Sequence, residues 1–255
     1  MAIYHVVIYT HGMRSVTDHD EVLPALNELG RDAERNHDED AGGCPPCFMH
    51  ELGPDGKPGV DPEQLRDVAR WRKAERERLI AARLRLPAED RAAQTLAITN
   101  DLDQLVPSTA ATIVSAYWPI RAEPDLRPWI RAKWEKGTRI ALPVALALGQ
   151  PLSFREWRPD GPLARGLWKI PFPADGAEVV PTVVLAPVVG FDDACYRLGY
   201  GGGFFDRTLA QMAERPLVIG LGYPEAAIKT IFPQPHDIPM DWIVTGAHPA
   251  LRRAD

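Results

Sequence analysis

The densest chemical pattern in the chain is Arg197-Leu-Gly-Tyr-Gly-Gly-Gly-Phe-Phe-Asp-Arg207. Gly199, Gly201, Gly202 and Gly203 can adopt positive φ and leave no side chain between backbone and ligand. Arg197 and Arg207 bracket them with forked, permanently charged donors that match phosphate oxygens. An apolar run from Val183 to Phe191 precedes the loop and reads as a buried strand; Thr208 to Ala213 reads as a helix. Strand, glycine loop and helix N-terminus together can hold phosphate through backbone N–H groups. Asp206 falls in the first helical turn, where a carboxylate suits a Mg²⁺ that bridges protein and phosphate. The same pattern also serves where a strand simply turns tightly into a helix, and an acid in a first turn complements the helix dipole. It is neither a Walker A loop nor a G-x-G-x-x-G fingerprint.

Two other groups of residues carry candidate chemistry. Cys44, Cys47 and His50 place three candidate metal ligands close together, and C-x-x-C spacing suits two thiolates on one Zn²⁺ with His50 or His37 completing a tetrahedron. The second C-x-x-C half of a zinc ribbon is missing, and the pair also fits a redox dithiol or two ordinary thiols. Further on, Arg66, Arg70, Arg72, Lys73, Arg76, Arg78, Arg83 and Arg85 crowd one helical segment. Glu–Arg pairs on a solvated face explain such a segment without any ligand.

The elements that must position these groups follow from composition and periodicity. Charge is mildly negative, at −6, with no basic run that would track a nucleic-acid backbone. No apolar run reaches membrane-spanning length, and no secretory leader pattern opens the chain. Three cysteines are too few for a disulfide framework, which fits a reducing cytoplasm. Ile3–Tyr9 is rich in strand formers and Asp18–Leu29 has helical spacing. A Gly/Pro linker, Gly53 to Gly59, then marks a boundary between residues 1–60 and 61–255. Asp61-Pro-Glu caps a helix that runs to Leu86 and stops at Pro87. A second helix is expected over Ala88–Leu105, a core strand over Thr112–Tyr117, and a helix over Leu126–Lys136. Further strands are expected over Thr138–Pro143, Leu152–Trp157 and Leu217–Gly222, with a last one in the Trp242–Val244 run. The loop Trp118–Asp125 leaves the first core strand at its carboxyl end, where ligands of α/β sheets sit. It carries Glu123, which the helix dipole alone would also favour there.

Phe191-Asp192, followed by the Arg197–Arg207 run, resembles the signature of 5-formyltetrahydrofolate cyclo-ligase, also called 5,10-methenyltetrahydrofolate synthetase. The resemblance extends over about residues 66–247, through Arg83-Leu-Arg-Leu-Pro-Ala-Glu-Asp-Arg91, Glu123 with Asp125, Trp168-Lys-Ile-Pro-Phe-Pro173 and His236-Asp-Ile-Pro-Met-Asp241. It implies an α/β protein: a three-layer α/β/α sandwich with a mostly parallel sheet (NagB/RpiA/CoA-transferase-like), plus a small N-terminal appendage. The implied reaction is ATP- and Mg²⁺-dependent cyclisation of 5-formyltetrahydrofolate to 5,10-methenyltetrahydrofolate, with release of ADP and phosphate. By the same resemblance, ATP would be held by Arg72, Lys73, Arg76, Arg197, Leu198, Gly199, Tyr200, Gly201, Gly202, Gly203, Phe204 and Phe205. Arg76 and Arg197 would act in catalysis, and Asp206 and Asp241 would hold Mg²⁺. Glu123, Trp168 and Phe204 would contact the folate, although Trp168 would serve equally as core. The chain departs from the family pattern at Arg72, usually Lys, at Phe204 and Phe205, commonly tyrosines, and at Gly202, where some relatives carry Lys. The alternatives are a cyclo-ligase-like paralogue in thiamine metabolism and a non-catalytic ATP-binding adaptor.

Overall fold

The structure, a computed structural model, describes residues 61–107, 109–247 and 249–254. The proposed linker and the Cys44, Cys47 and His50 group lie outside the described residues.

Helix α1 (Pro62–Arg85) begins at Asp61, whose carboxylate accepts the N–H of Glu63 at 2.8 Å, with Pro62 in the first turn. It ends at Leu86, just before Pro87, which cannot continue the hydrogen-bond ladder. Helix α2 (Ala88–Leu105) leads to β1 (Ile113–Ser115), and α3 (Arg127–Glu135) connects β1 to β2 (Arg139–Val144). The remaining main-sheet strands are β3 (Ser153–Trp157), β6 (Val183–Pro187), β9 (Leu217–Leu221), β10 (Trp242–Val244) and β11 (Leu251–Arg252). Their order is β11-β10-β9-β6-β1-β2-β3; the inner five are parallel and the two edges antiparallel. Two small hairpins stand outside this sheet. One pairs β4 (Leu163–Arg165) with β5 (Pro171–Pro173), the other β7 (Gly190–Phe191) with β8 (Arg197–Leu198).

The sheet is buried on both faces, and strand alternation sorts its residues between them. Val183 and Leu185 of β6 join Ile98 and Leu102 of α2 and Trp129 and Ile130 of α3 in one core. Val184 and Ala186 join Leu209 of α4 (Phe204–Gln211) on the other face, with Met240 and Ile243. Helices therefore flank a mostly parallel sheet, which is the α/β layering expected from the sequence. Helix α1 packs through Leu79 on Val189, Leu198 and Ile231, beside the hairpin that feeds the glycine loop.

Two expected elements differ in extent. The apolar run Val183–Phe191 is two strands, because the chain changes partners after Val188: the N–H of Val188 still bonds Leu221 of β9, and that of Val189 bonds Leu198. The strand that enters the glycine loop is consequently β8, not the core strand β6. Helix α4 starts at Phe204, four residues earlier than the Thr208 start read from the sequence, because Gly203 takes a left-handed conformation (φ 62°) and sets the helix directly after the loop.

Candidate active site

Helix α1 turns a cationic stripe inward. Val68, Arg72, Leu79 and Arg83 are its buried residues, and Arg76 lies on the same stripe, one turn from Arg72. Arg66, Arg70, Arg78 and Arg85 are exposed, and Arg70 and Arg78 pair with Asp67 and Glu75 one turn earlier. The solvated-face reading thus describes one side of the helix and not the other.

The three inward arginines have different destinations. Arg72 donates from Nε to Ile231 O and from Nη2 to Phe232 O, both at 2.9 Å, and forks onto Asp237. Its guanidinium therefore fixes the 231–237 loop. That loop is held from the other side by Asp192, whose buried carboxylate accepts the N–H groups of Ile231 and Tyr196, each at 3.0 Å. Arg76 meets the glycine loop: its Nε donates to Gly199 O at 2.9 Å, and its guanidinium faces Gly201. Burial, and then the neighbouring Arg72 cation, hold Arg76 below its ordinary pKa. Arg83 donates to Arg121 O at 2.9 Å, to Val188 O at 3.4 Å and to the Tyr200 hydroxyl.

The loop itself is shaped for close approach. Gly201 (φ 95°) and Gly203 (φ 62°) need left-handed backbone, and a Cβ at Gly202 would stand 2.7 Å from the Phe204 ring. The α4 start has no side-chain cap, so its first N–H groups are available. Arg207 turns back to Gly202 O at 2.9 Å. Arg197 is buried beneath the loop. It pairs with Asp206 Oδ2 at 2.8 Å and lies 5.1 Å from the centre of the Phe205 ring, and its Nε has no partner among the described residues. Asp206 Oδ1 accepts the N–H of Ile238 at 3.3 Å. Trp168 sits edge-on to Phe204, 5.5 Å between centroids, in a turn where Trp168 and Lys169 both have positive φ.

Glu123 is buried, 5% exposed. One carboxylate oxygen accepts the N–H of Ile120 at 2.9 Å and the other the Tyr200 hydroxyl at 2.7 Å. Burial raises its pKa above the ordinary carboxylate value, against the pull of Arg83. It also lines an open groove of about 580 Å³ with Arg91, Thr95 and Thr99 of α2, Asp125, Trp129 and Tyr223. That volume is in the range of small-molecule sites. Each oxygen keeps a lone pair for a second donor.

The structure therefore brings Arg76, the loop Gly199–Gly203, Tyr200 and Glu123 into one contact chain, with Trp168 and Phe204 beside it. Arg72 is engaged elsewhere. Asp241 precedes β10, at the amino end of a parallel strand, whereas the Glu123 loop leaves the carboxyl end of β1. Its carboxylate accepts the N–H of Val218 at 2.8 Å and Arg215 at 2.9 Å. No cluster of three or more His, Cys, Asp or Glu side chains suited to a metal occurs among the described residues. Sequence reasoning missed Arg83 as a site residue. The available signal was its place on the Arg72–Arg76 stripe.

Bound groups can be tested against these residues. An anion fits the loop, because the half-buried Arg76 guanidinium faces Gly201 and the α4 start beside it carries no side-chain cap. A divalent ion fits Asp206 only beside the protein donor that each of its oxygens already accepts.

A mostly parallel α/β sheet with a glycine loop facing a buried carboxylate defines the class: an α/β protein with its site on loops and helix ends around the sheet. The chain belongs to the 5-formyltetrahydrofolate cyclo-ligase family, whose model matches residues 68–246. It is 34% identical over 140 residues to a 5-formyltetrahydrofolate cyclo-ligase of Mycolicibacterium smegmatis, covering 52% of this chain and 72% of that protein. It is 31% identical over 147 residues to the Escherichia coli K12 protein of the same description, covering 54% and 80%. Among solved structures, the Aquifex aeolicus 5,10-methenyltetrahydrofolate synthetase matches with TM-score 0.62 and 27% identity, over 72% of this chain and 93% of that one. A Mycoplasma pneumoniae synthetase at 19% identity, TM-score 0.57, shares the fold over 69% of this chain and 98% of that one.

Proposed function

We propose that this protein cyclises 5-formyltetrahydrofolate to 5,10-methenyltetrahydrofolate at the expense of ATP, releasing ADP and phosphate. The observation that carries the reading is the contact chain from Arg76 through the glycine loop and Tyr200 to Glu123, in a member of this family. It offers a cationic, glycine-lined seat for phosphates joined to a buried carboxylate on a groove.

In this reading Arg76 and the loop N–H groups take up phosphate charge, and Arg197 orders the base of the loop. Glu123 accepts pterin N–H donors, two of which a carboxylate can take in parallel. Trp168 and Phe204 supply flat apolar surface for the ring system. The formyl oxygen attacks the γ-phosphorus with loss of ADP, and N10 then closes the ring as phosphate leaves. Alignment and charge stabilisation matter more to such a transfer than a strong protein base. Asp206 would hold Mg²⁺, which would neutralise charge on the phosphates, and Asp241 would join it only by giving up the Val218 N–H and Arg215 donors that its carboxylate now accepts. We place the activity in residues 61–255 and in the cytoplasm; no helix of the described residues is long and apolar enough to cross a membrane.

The test is the absorbance of the methenyl product, followed with 5-formyltetrahydrofolate, Mg²⁺ and with or without ATP. ATP-dependent product formation is expected. Nucleotide binding without turnover would refute the reading in favour of an adaptor or a paralogue acting on another substrate.

A further inference from the structure

Glu123 is held by two residues that the sequence did not mark as its partners, and they come from two other parts of the chain. Arg83, from α1, grips the backbone just before Glu123 through Arg121 O. It also reaches the Tyr200 hydroxyl, which in turn donates to Glu123 Oε1 at 2.7 Å. Burial, and then Glu123, raise the Tyr200 pKa well above its ordinary value, so the phenol stays protonated and can donate. Arg121 and Ala122 both have positive φ, at 47° and 58°, immediately before Glu123. Non-glycine residues persist in that region only when their surroundings impose it. The Arg83–Arg121 bond is one such imposed contact, and the guanidinium lies 5.8 Å from the Tyr200 ring centre, with that of Arg121 at 5.9 Å on the same ring.

We propose that Arg83 and Tyr200 are positioning residues: together they fix the carboxylate of Glu123 for the folate and tie it mechanically to the phosphate-binding loop. The proposal rests on the functional reading above and deepens it. Tyr200 sits between Gly199, which Arg76 engages, and Gly201, which faces the Arg76 guanidinium. A displacement of the loop by phosphates therefore moves the one hydroxyl that orients Glu123. Binding of the two substrates is coupled through a single side chain, and the coupling is reciprocal by linkage.

The groups facing Glu123 define what removal of that hydroxyl does. Arg83 comes from α1, Tyr200 from the glycine loop, Arg121 from its own loop, Tyr117 from the end of β1 and Tyr223 from beyond β9. Among the described residues, the hydroxyl of Tyr200 and the N–H of Ile120 are the hydrogen-bond donors to the carboxylate. Without that hydroxyl Arg83 stays bonded to Arg121 O and Val188 O through Nε and Nη1, while its Nη2 loses the hydroxyl as acceptor.

The experiment compares wild type with Tyr200→Phe, Arg83→Lys and Arg83→Ala. Each is assayed for turnover, for the Michaelis constants of both substrates (the folate and ATP), and for the pH profile of kcat/KM toward the folate. Tyr200→Phe removes a hydrogen bond to a charged group and should raise the folate Michaelis constant roughly tenfold. It should also move the acidic limb of the profile upward, since the carboxylate loses a donor that favours its charged form. The folate Michaelis constant measured at saturating and at low ATP should differ in wild type and coincide in Tyr200→Phe. Arg83→Lys should recover part of what Arg83→Ala loses, because an ammonium keeps the charge but cannot span three acceptors. Turnover by Tyr200→Phe with an unchanged folate Michaelis constant and an unmoved acidic limb would overturn the positioning role while leaving the functional reading standing. Absence of turnover by the wild type would overturn the functional reading and the positioning role with it.

Discussion

Asp206 is the residue at which a structural and a metal-binding role can be separated by measurement. Its side chain is 15% exposed and pairs at 2.8 Å with Arg197, which is 6% exposed. Removing one partner of a buried ion pair leaves the other charge uncompensated and costs about 3–5 kcal/mol. Asp206→Asn keeps an amide oxygen that can accept from Arg197 or from the Ile238 N–H, so the lower end applies, about 3 kcal/mol. Arg197 cannot redistribute its donors easily, because its Nε is already buried without an acceptor among the described residues. For a domain of this size each kcal/mol moves Tm by about 2–4 °C, giving a fall of roughly 6–12 °C. The assay is thermal unfolding followed by circular dichroism, in EDTA and without nucleotide, so that no ion contributes. Arg197→Met combined with Asp206→Leu should recover much of the loss, since an apolar pair of similar volume often replaces a buried ion pair without penalty. The same variants are then melted with Mg²⁺ and ATP. If Asp206 also holds the ion, the stabilisation that ligands give the wild type shrinks in Asp206→Asn. An unchanged Tm in EDTA would refute the structural argument and assign the carboxylate to ligand chemistry alone.

Other outcomes follow from the same contacts. Arg76→Ala should weaken ATP binding roughly tenfold to a hundredfold by calorimetry, from a charge-assisted bond contributing about 1.5–3 kcal/mol, with folate affinity little changed; unaltered ATP affinity would remove Arg76 from the phosphate site. Glu123 has its folded pKa raised by burial, so protonation favours the folded state. Its contribution to stability is present below the unfolded carboxylate value and is lost as pH rises through the raised folded value. Glu123→Gln should flatten that stretch of the stability–pH curve, measured by urea unfolding at closely spaced pH, and an unchanged slope would contradict it. Cys195 is buried, and burial pushes its thiol up to about 11; native protein at pH 8 should leave it unalkylated by iodoacetamide in peptide mapping, while unfolded protein reacts.

How far the sequence could be read depended on whether a signal was local. The limits of α1 were legible because Asp61, Pro62 and Pro87 are local punctuation, and α2 matched because it lies between Pro87 and a polar turn. The β7–β8 hairpin was not legible, since two-residue strands have no period, and the break from β6 is set by where the N–H groups of Val188 and Val189 find different acceptors, Leu221 and Leu198. The same limit applied to charge. Arg72, Arg76 and Arg83 share one helical stripe, which their spacing shows, yet their acceptors lie 159, 123 and 38 residues away. Spacing puts three cations on one stripe; only the fold states that the stripe turns inward and that one cation holds a loop, one meets the glycines and one reaches the Tyr200 hydroxyl beside a carboxylate. Tyr200 is among the nucleotide contacts that the family resemblance implies, and its hydroxyl reaches Glu123, 77 residues away. The loop motif is therefore two devices in one stretch: glycines whose backbone faces Arg76, and a phenol that reports their position to the other side of the site. Because the phenol is an ordinary side chain in an otherwise glycine-rich run, it can be removed without altering the φ values that shape the loop. That separates the coupling of the two substrates from the binding of either one.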